Sequence, residues 1–293
     1  MKKFQVITDS TSDVELKFRE ELGLDYAKMI FTLDGKDYDA CLDWSEISAH
    51  DFYESLRKGS KIITGLVTAE QFEKKFEEYL SQGLDVLYIS CSSKLSGSVN
   101  NGKIVAEELK EKYPDRKIIC VDSLRSNYAE AMIAMTAAKM ANEGKNIEEA
   151  AAFAEEKKLQ YSTYATVGTL TYLKNAGRIK ASKAFFGNLF GVKPIIIADA
   201  IGNNYAFKKA KGRKNALDEV AALIKENIHP NSPLFIEHAD CLEDAEYVKE
   251  AVKDKVSTIY LSSLGPIIGA SVGPDSITVN FYAKNKVTII GEE

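Results

Sequence analysis

The sequence predicts an α/β protein of two domains, a parallel sheet with helices on both faces followed by a mixed α/β domain with antiparallel strands. Three observations predict it. The 293 residues are about two domains' worth, and a 45% hydrophobic content is enough to fill a core in each. The first half repeats a short β-branched run, a turn rich in Ser, Thr and Gly, and an amphipathic stretch with Glu and Lys on its outer face, the pattern of parallel strands joined by crossover helices. After Gly144 this gives way to hairpin signals, so the domains are expected to cover residues 1–158 and 159–293.

The elements follow in order. Residues 4–8 read as the first strand, and Asp9-Ser10-Thr11-Ser12-Asp13 turns into a helix over about 14–21, with Ser12 and Glu15 at capping-box spacing. Residues 84–90 form the next clear strand, followed by a loop to Ser98 as helix cap and a helix near 100–112. A third strand at 117–121 passes through Asp122-Ser123 into a long helix that Gly144 stops. Three strands thus end in loops rich in hydroxyls, on the sheet edge where open parallel sheets bind ligands. A charged Ala/Glu helix fills 147–158. Beyond it, 194–199 and 205–210 flank a Gly-Asn turn and predict a hairpin. Helices are expected at 215–227 and 242–253, and strands at 234–237, 256–261 and 277–282.

Composition removes several classes of function. A net charge of -5 and a pI near 5.5 give no global basic field for a polyanion, which argues against nucleic acid as a partner. Asp9 interrupts the N-terminus too early for the apolar core of a signal peptide. No apolar run approaches the ~20 residues of a membrane span, so a cytoplasmic protein without an integral membrane segment is expected. Cys41, Cys91, Cys120 and Cys241 form no C-x-x-C pair, and free thiols with no metal site and no cofactor are expected.

Several stretches are candidates for chemistry. Ser10, Thr11 and Ser12 are more hydroxyls than one helix cap needs, and a helix start of this kind suits a carboxylate or phosphate. Ser92-Ser93-Lys94-Leu95-Ser96-Gly97-Ser98 is dense in small hydroxyl residues and offers neutral donors to an anion, although it also reads as a solvated loop. Gly177 closes a short helix and sets Arg178 to face an anion or a partner protein. Phe185, Phe186 and Phe190, with Leu189 between, read either as core or as the lining of a tunnel for an alkyl chain. The stretch 264–275, with three glycines and two prolines, reads as a fixed loop or a rigid connection between strands, and Asp240 as the cap of the helix after it. The basic run 208–214 reads as a docking patch or a solvated strand end. A serine nucleophile lacks a nearby base, since His50, His229 and His238 belong to no recognisable elbow. An enzyme acting on a small anionic substrate with Asp9 or Asp122 as general base remains the main rival to a binding function.

Together these stretches resemble the DegV family of bacterial fatty-acid-binding proteins. The resemblance rests on Thr8-Asp9-Ser10-Thr11-Ser12-Asp13, the Ser92–Ser98 loop, Val121-Asp122-Ser123, Leu173-Lys174-Asn175-Ala176-Gly177-Arg178-Ile179, His238-Ala239-Asp240 and Gly265-Pro266-Ile267-Ile268-Gly269, in the family's order over residues 8–273. It implies two α/β domains, the first Rossmann-like, that hold one long-chain fatty acid in a tunnel between them and present its carboxylate to a separate ATP-dependent fatty acid kinase. That kinase makes acyl phosphate for phospholipid synthesis, and the absence of a Walker A pattern or kinase-type glycine loop agrees with a carrier. Carried over residue by residue, Thr64, Ser96 and Ser271 would bind the carboxylate. Ser10, Thr11, Asp122, Ser123 and Arg178 would lie near the head group, with Arg178 alternatively on the docking face. Phe185, Phe186, Leu189, Phe190 and Ile268 would line the tunnel. The chain departs from the family at Ser271, where a histidine is usual, and at Ala129 and Ala131, which replace glycines.

Overall fold

A computed structural model of the chain describes residues 2–182, 185 and 191–291. The first half alternates as its sequence predicts. Strand β1 (Phe4–Asp9) leads to α1 (Leu16–Leu22) and β2 (Asp25–Ala27), then to β3 (Ile30–Leu33), β4 (Lys36–Asp39), α2 (Ala49–Arg57) and β5 (Ile62–Thr64). Next come α3 (Ala69–Leu80), β6 (Asp85–Ser90), α4 (Ser98–Lys112), β7 (Ile118–Asp122), α5 (Asn127–Asn142) and α6 (Ile147–Lys157). Strands β2, β1, β6 and β7 form a parallel sheet in that spatial order. Side chains alternate across it. Phe4, Val6, Leu87 and Ile89 pack on α5 and α6, whereas Ile7, Val86 and Tyr88 pack on Phe72 and Phe76 of α3 and Val105 of α4. Both faces are therefore covered by helices, which is why these strands are nearly continuous apolar runs.

The second half contains β8 (Tyr161–Thr166), α7 (Thr171–Ala176), β9 (Val192–Ala198), β10 (Asn204–Lys211), α8 (Arg213–Asn227), β11 (Leu234–His238), α9 (Leu242–Val252), β12 (Ile259–Ser263), α10 (Pro266–Val272) and β13 (Ile277–Tyr282). Its sheet runs β10-β9-β8-β13-β11-β12 and is antiparallel except between β11 and β12. One face, with Ile195, Ile197, Ile277, Val279 and Phe281, packs on α8 and α9. The other turns toward α5 and the loops at the carboxyl ends of β1, β6 and β7, and it buries Thr163, Glu237, Thr278 and Asn280.

Several local expectations are corrected. Ser12 does not cap α1: its Oγ donates to Asp9 O at 2.9 Å and closes the turn after β1, while Glu15 occupies the cap position without a side-chain bond. Ser98 is the first helical residue of α4, and Gly97 holds the cap position. The Gly/Pro-rich stretch is a helix, α10, because Pro266 at its start has the fixed φ a first turn needs and its missing N–H is not required there. Asp240 does not cap α9; it adopts φ 56° and pairs with Arg57 of α2 instead. The three-stranded antiparallel sheet β4-β3-β5 was not predicted. The basic run takes ordinary local pairs, Lys208 with Glu219, Lys214 with Asp218 and Arg213 with Asp244.

Candidate functional site

A cavity opens between the inner face of the mixed sheet and the carboxyl-end loops of the parallel sheet, with β5 and α10 closing its sides. Its empty volume is about 950 Å³ counting the open mouth, the size of a pocket for a small organic ligand. Met29, Val167, Leu173, Ile196, Ile267 and Ile268 give it an apolar wall.

Thr64, Ser96, Ser271 and Arg178, far apart in sequence, all line this one cavity. Thr64 ends β5, whose pairing with β3 opposes it to Phe31. Ser96 lies in the β6–α4 loop and is held by a chain of hydrogen bonds. Val67 N–H donates to Ser98 Oγ at 3.2 Å, and Ser96 Oγ accepts from Ser98 N at 3.2 Å and lies 3.0 Å from Ser98 Oγ. When Ser98 donates along that last contact, Ser96 keeps its own O–H free for an anion, and the chain behind it polarises that donor. The Ser271 side chain, on α10, donates a long 3.4 Å bond from its Oγ to Ile267 O. Gly177 (φ 67°) turns the chain after α7 so that Arg178, exposed, reaches across to Leu95 O with its Nε at 3.0 Å. Among the described residues Arg178 has no acidic partner; its guanidinium donates to backbone carbonyls alone.

Other expected residues do different work. Thr11 and Ile268 line the cavity; Ser10, Asp122 and Ser123 do not. Ser10 Oγ donates to Ala40 O and accepts from Met29 N, both at 2.9 Å. Asp122 Oδ1 accepts from Ser93 N and Leu124 N, and Ser123 Oγ accepts from Arg125 N. All three are spent on fixing the loops that carry the site. Asp9 is likewise fully engaged, accepting from Thr11 N and Oγ1 at Oδ1 and from Tyr88 Oη and Cys91 N at Oδ2. Phe185 is buried in the same core as the cavity wall and lies under the Lys209 ammonium, 4.8 Å from its ring centroid, but it is not a lining residue. Phe186, Leu189 and Phe190 lie outside the described residues.

The buried end of the cavity holds residues that the sequence did not single out: Asn127, Thr163 and Thr278, beside Thr11. Behind them stand four buried acids. Thr11 has one hydroxyl hydrogen but lies 2.5 Å from Asp9 Oδ1 and 2.7 Å from Glu130 Oε2, so one of these two acids carries a proton. Burial, and then the charge of Asp9, hold the Glu130 carboxyl well above its usual range, consistent with that proton. Thr278 Oγ1 donates to Glu237 Oε2 at 3.0 Å, Asn280 Nδ2 donates to the same oxygen at 2.7 Å, and Thr163 Oγ1 donates to Asn280 Oδ1 at 2.7 Å. Burial, and then the neighbouring Asp13, also raise Glu237.

The two halves are tied at the rim. The Arg125 side chain is wholly buried; it donates from Nε to Tyr161 O at 2.6 Å and from a terminal nitrogen to Asp199 O at 2.9 Å. Ser92 Oγ donates to Gly202 O at 2.7 Å, and Gly202 has φ 93° in the β9–β10 turn, where an added Cβ would lie 2.2 Å from that hydroxyl. Among the described residues, no group of acids, cysteines and histidines is arranged to hold a metal ion, and no helix is long and apolar enough to cross a membrane.

Comparison with known proteins bears on this arrangement directly. The family model described as "Uncharacterised protein, DegV family" matches residues 3–284. A DegV domain-containing protein of Clostridium perfringens is 37% identical over 290 residues, 98% of this chain and 99% of that protein. The fold is similar to that of a fatty-acid-binding DegV family protein from Thermus thermophilus, with TM-score 0.84, 25% identity and coverage of 96% of this chain and 99% of the other. It is similar as well to DegV, a fatty acid binding protein from Bacillus subtilis, with TM-score 0.82 and 24% identity over 97% of this chain and 100% of that one. With the family model and a close relative both spanning nearly its whole length, the chain belongs to the DegV family.

Proposed function

We propose that this protein binds one long-chain fatty acid, with its tail in the cavity between domains of residues 1–158 and 159–293 and its carboxylate at the mouth on Thr64, Ser96, Ser271 and Arg178. The observation that carries the reading is that three neutral hydroxyls and a guanidinium with no acidic partner among the described residues, from four separate segments, line one apolar-walled cavity. Hydroxyls and Arg178 suit a carboxylate, and the wall suits an alkyl chain. The fatty acids bound by DegV proteins of the same fold support it. A base role for Asp9 or Asp122 gains nothing from the geometry, since neither lines the cavity.

The protein acts as a carrier in the cytosol, and an ATP-dependent fatty acid kinase takes the carboxylate from the exposed mouth to form acyl phosphate for phospholipid synthesis. Exposure of Arg178 beside the carboxylate site supports a docking role for this rim. Organic extraction of the purified protein followed by mass spectrometry is expected to yield about one long-chain free fatty acid per chain. A protein that carries none, and that binds none after delipidation, overturns the reading. The kinase step is tested by adding such a kinase and ATP to the loaded protein and assaying acyl phosphate.

A further inference from the structure

Asn127 is an anomaly in an alkyl tunnel. Only 3% of its surface is exposed, it lines the cavity, and its Nδ2 finds no hydrogen-bond partner, because Oδ1 is the atom that accepts from Ser126 Oγ at 2.6 Å. A buried amide N–H without a partner is unfavourable enough that native proteins rarely leave one. The same cavity is lined by acceptors. The hydroxyl hydrogens of Thr163 and Thr278 are already given to Asn280 and Glu237, and that of Thr11 lies between Asp9 and Glu130, so what these residues can turn to a ligand is lone pairs.

We infer that the natural ligand is a long-chain fatty acid carrying a neutral hydroxyl group on the part of its chain far from the carboxylate. The inference rests on the fatty-acid reading and narrows its ligand class. A hydroxyl matches the buried end because it accepts one hydrogen bond, from Asn127 Nδ2, and donates one, to a threonine oxygen. A ketone has nothing to donate to those oxygens. A second carboxylate, ionised, likewise has no hydrogen to donate to those oxygens, so it leaves them unmatched.

The test is competition binding on the delipidated full chain, with palmitate, 16-hydroxyhexadecanoate and hexadecanedioate, and with stearate, 10-hydroxystearate and 12-hydroxystearate. At least one hydroxylated acid is expected to bind about tenfold tighter than its unsubstituted parent, and the diacid more weakly than palmitate. Asn127 has φ 56°, which glycine adopts without strain, so Asn127→Gly is expected to abolish the preference, read as the ratio of the affinities for the hydroxylated acid and its parent in the same variant. Thr163→Val is a second variant that removes one acceptor and is expected to reduce the preference. If every hydroxylated acid binds no tighter than its parent, or if the diacid binds best, the inference is overturned while the fatty-acid reading stands. If palmitate and stearate do not bind either, the fatty-acid reading falls with it.

Discussion

Asp13, in the turn after β1, and Glu237, on β11, are two buried acids that act on each other, and the neighbouring Asp13 helps to hold the Glu237 carboxyl well above its usual range. Among the described residues no side-chain donor reaches either oxygen of Asp13 or Oε1 of Glu237, so the pair avoids two facing buried charges by keeping a proton. Both groups are buried, and burial pushes the Asp13 carboxyl up to about 8. Gly265 makes the approach possible, since a Cβ there would stand 2.1 Å from Asp13 Oδ1.

This pair gives the fold a pH dependence of known sign. The folded chain keeps the Asp13 proton up to about pH 8, whereas the unfolded chain loses it near 4. The contribution to stability is therefore complete below about pH 4 and declines until about pH 8. In Asp13→Asn the neutral amide cannot ionise, so its melting temperature relative to wild type should rise between pH 5 and pH 8. At about 2–4 °C per kcal/mol the change is within reach of differential scanning fluorimetry. An unchanging difference across that range would mean that the pair holds no proton of its own.

Ser96→Ala and Thr64→Val should each weaken fatty-acid binding and leave the melting temperature of the delipidated protein nearly unchanged. Each removes a hydrogen bond to a charged carboxylate, worth roughly 1.5–3 kcal/mol, or about 10- to 150-fold in affinity. Isothermal titration of the double variant checks this, and wild-type affinity would take both residues out of the site.

The tail should dominate affinity. At about 0.8 kcal/mol per buried methylene, shortening palmitate to octanoate removes on the order of 6 kcal/mol. Octanoate should then fail to displace palmitate at equal concentration, and equal competition would show that the apolar wall is not what holds the chain.

Ser271→His should tighten binding of palmitate, by roughly tenfold at pH 6 and by less at pH 8. Ser271 lines the cavity on α10, and an imidazole there (ordinary pKa about 6.5) carries charge toward the carboxylate only at the lower pH. A pH-independent affinity would place the side chain away from the head group.

The regular part of the fold was legible because it obeys periodicity. Ile277–Tyr282 alternates apolar and polar, and the strand observed has those same ends. Alternation alone would turn Thr278 and Asn280 toward solvent, yet the opposite face of that strand meets α8 and α9, so the polar side is interior and becomes the end of the cavity. Nothing local distinguishes a polar face buried against a second layer from one in water. Asn127 was hidden for a related reason, since it opens α5 with φ 56° and reads as an ordinary helix start. The α10 helix was concealed by glycines: Gly265 leaves room for Asp13, and Gly269, within the helix, for Tyr53 of α2. Ser96 and Arg178 stood out from the residues alone as groups suited to an anion, whereas Thr64 and Ser271 were singled out only through family resemblance, because residues so far apart come to line one cavity only through tertiary structure.

The position of β13 has a consequence for how the protein is made. It lies in the middle of the mixed sheet, between β8 and β11. While the ribosome is still adding residues before Ile277, the strands already synthesised can form only two separate pieces, β10-β9-β8 and β11-β12, each with an open edge. Arrival of β13 seals both edges at once and brings Thr278 into the cavity wall. The nascent chain therefore has no complete cavity until β13 has been added. Chains truncated before residue 277 would carry two exposed strand edges and should be prime substrates for aggregation and quality control.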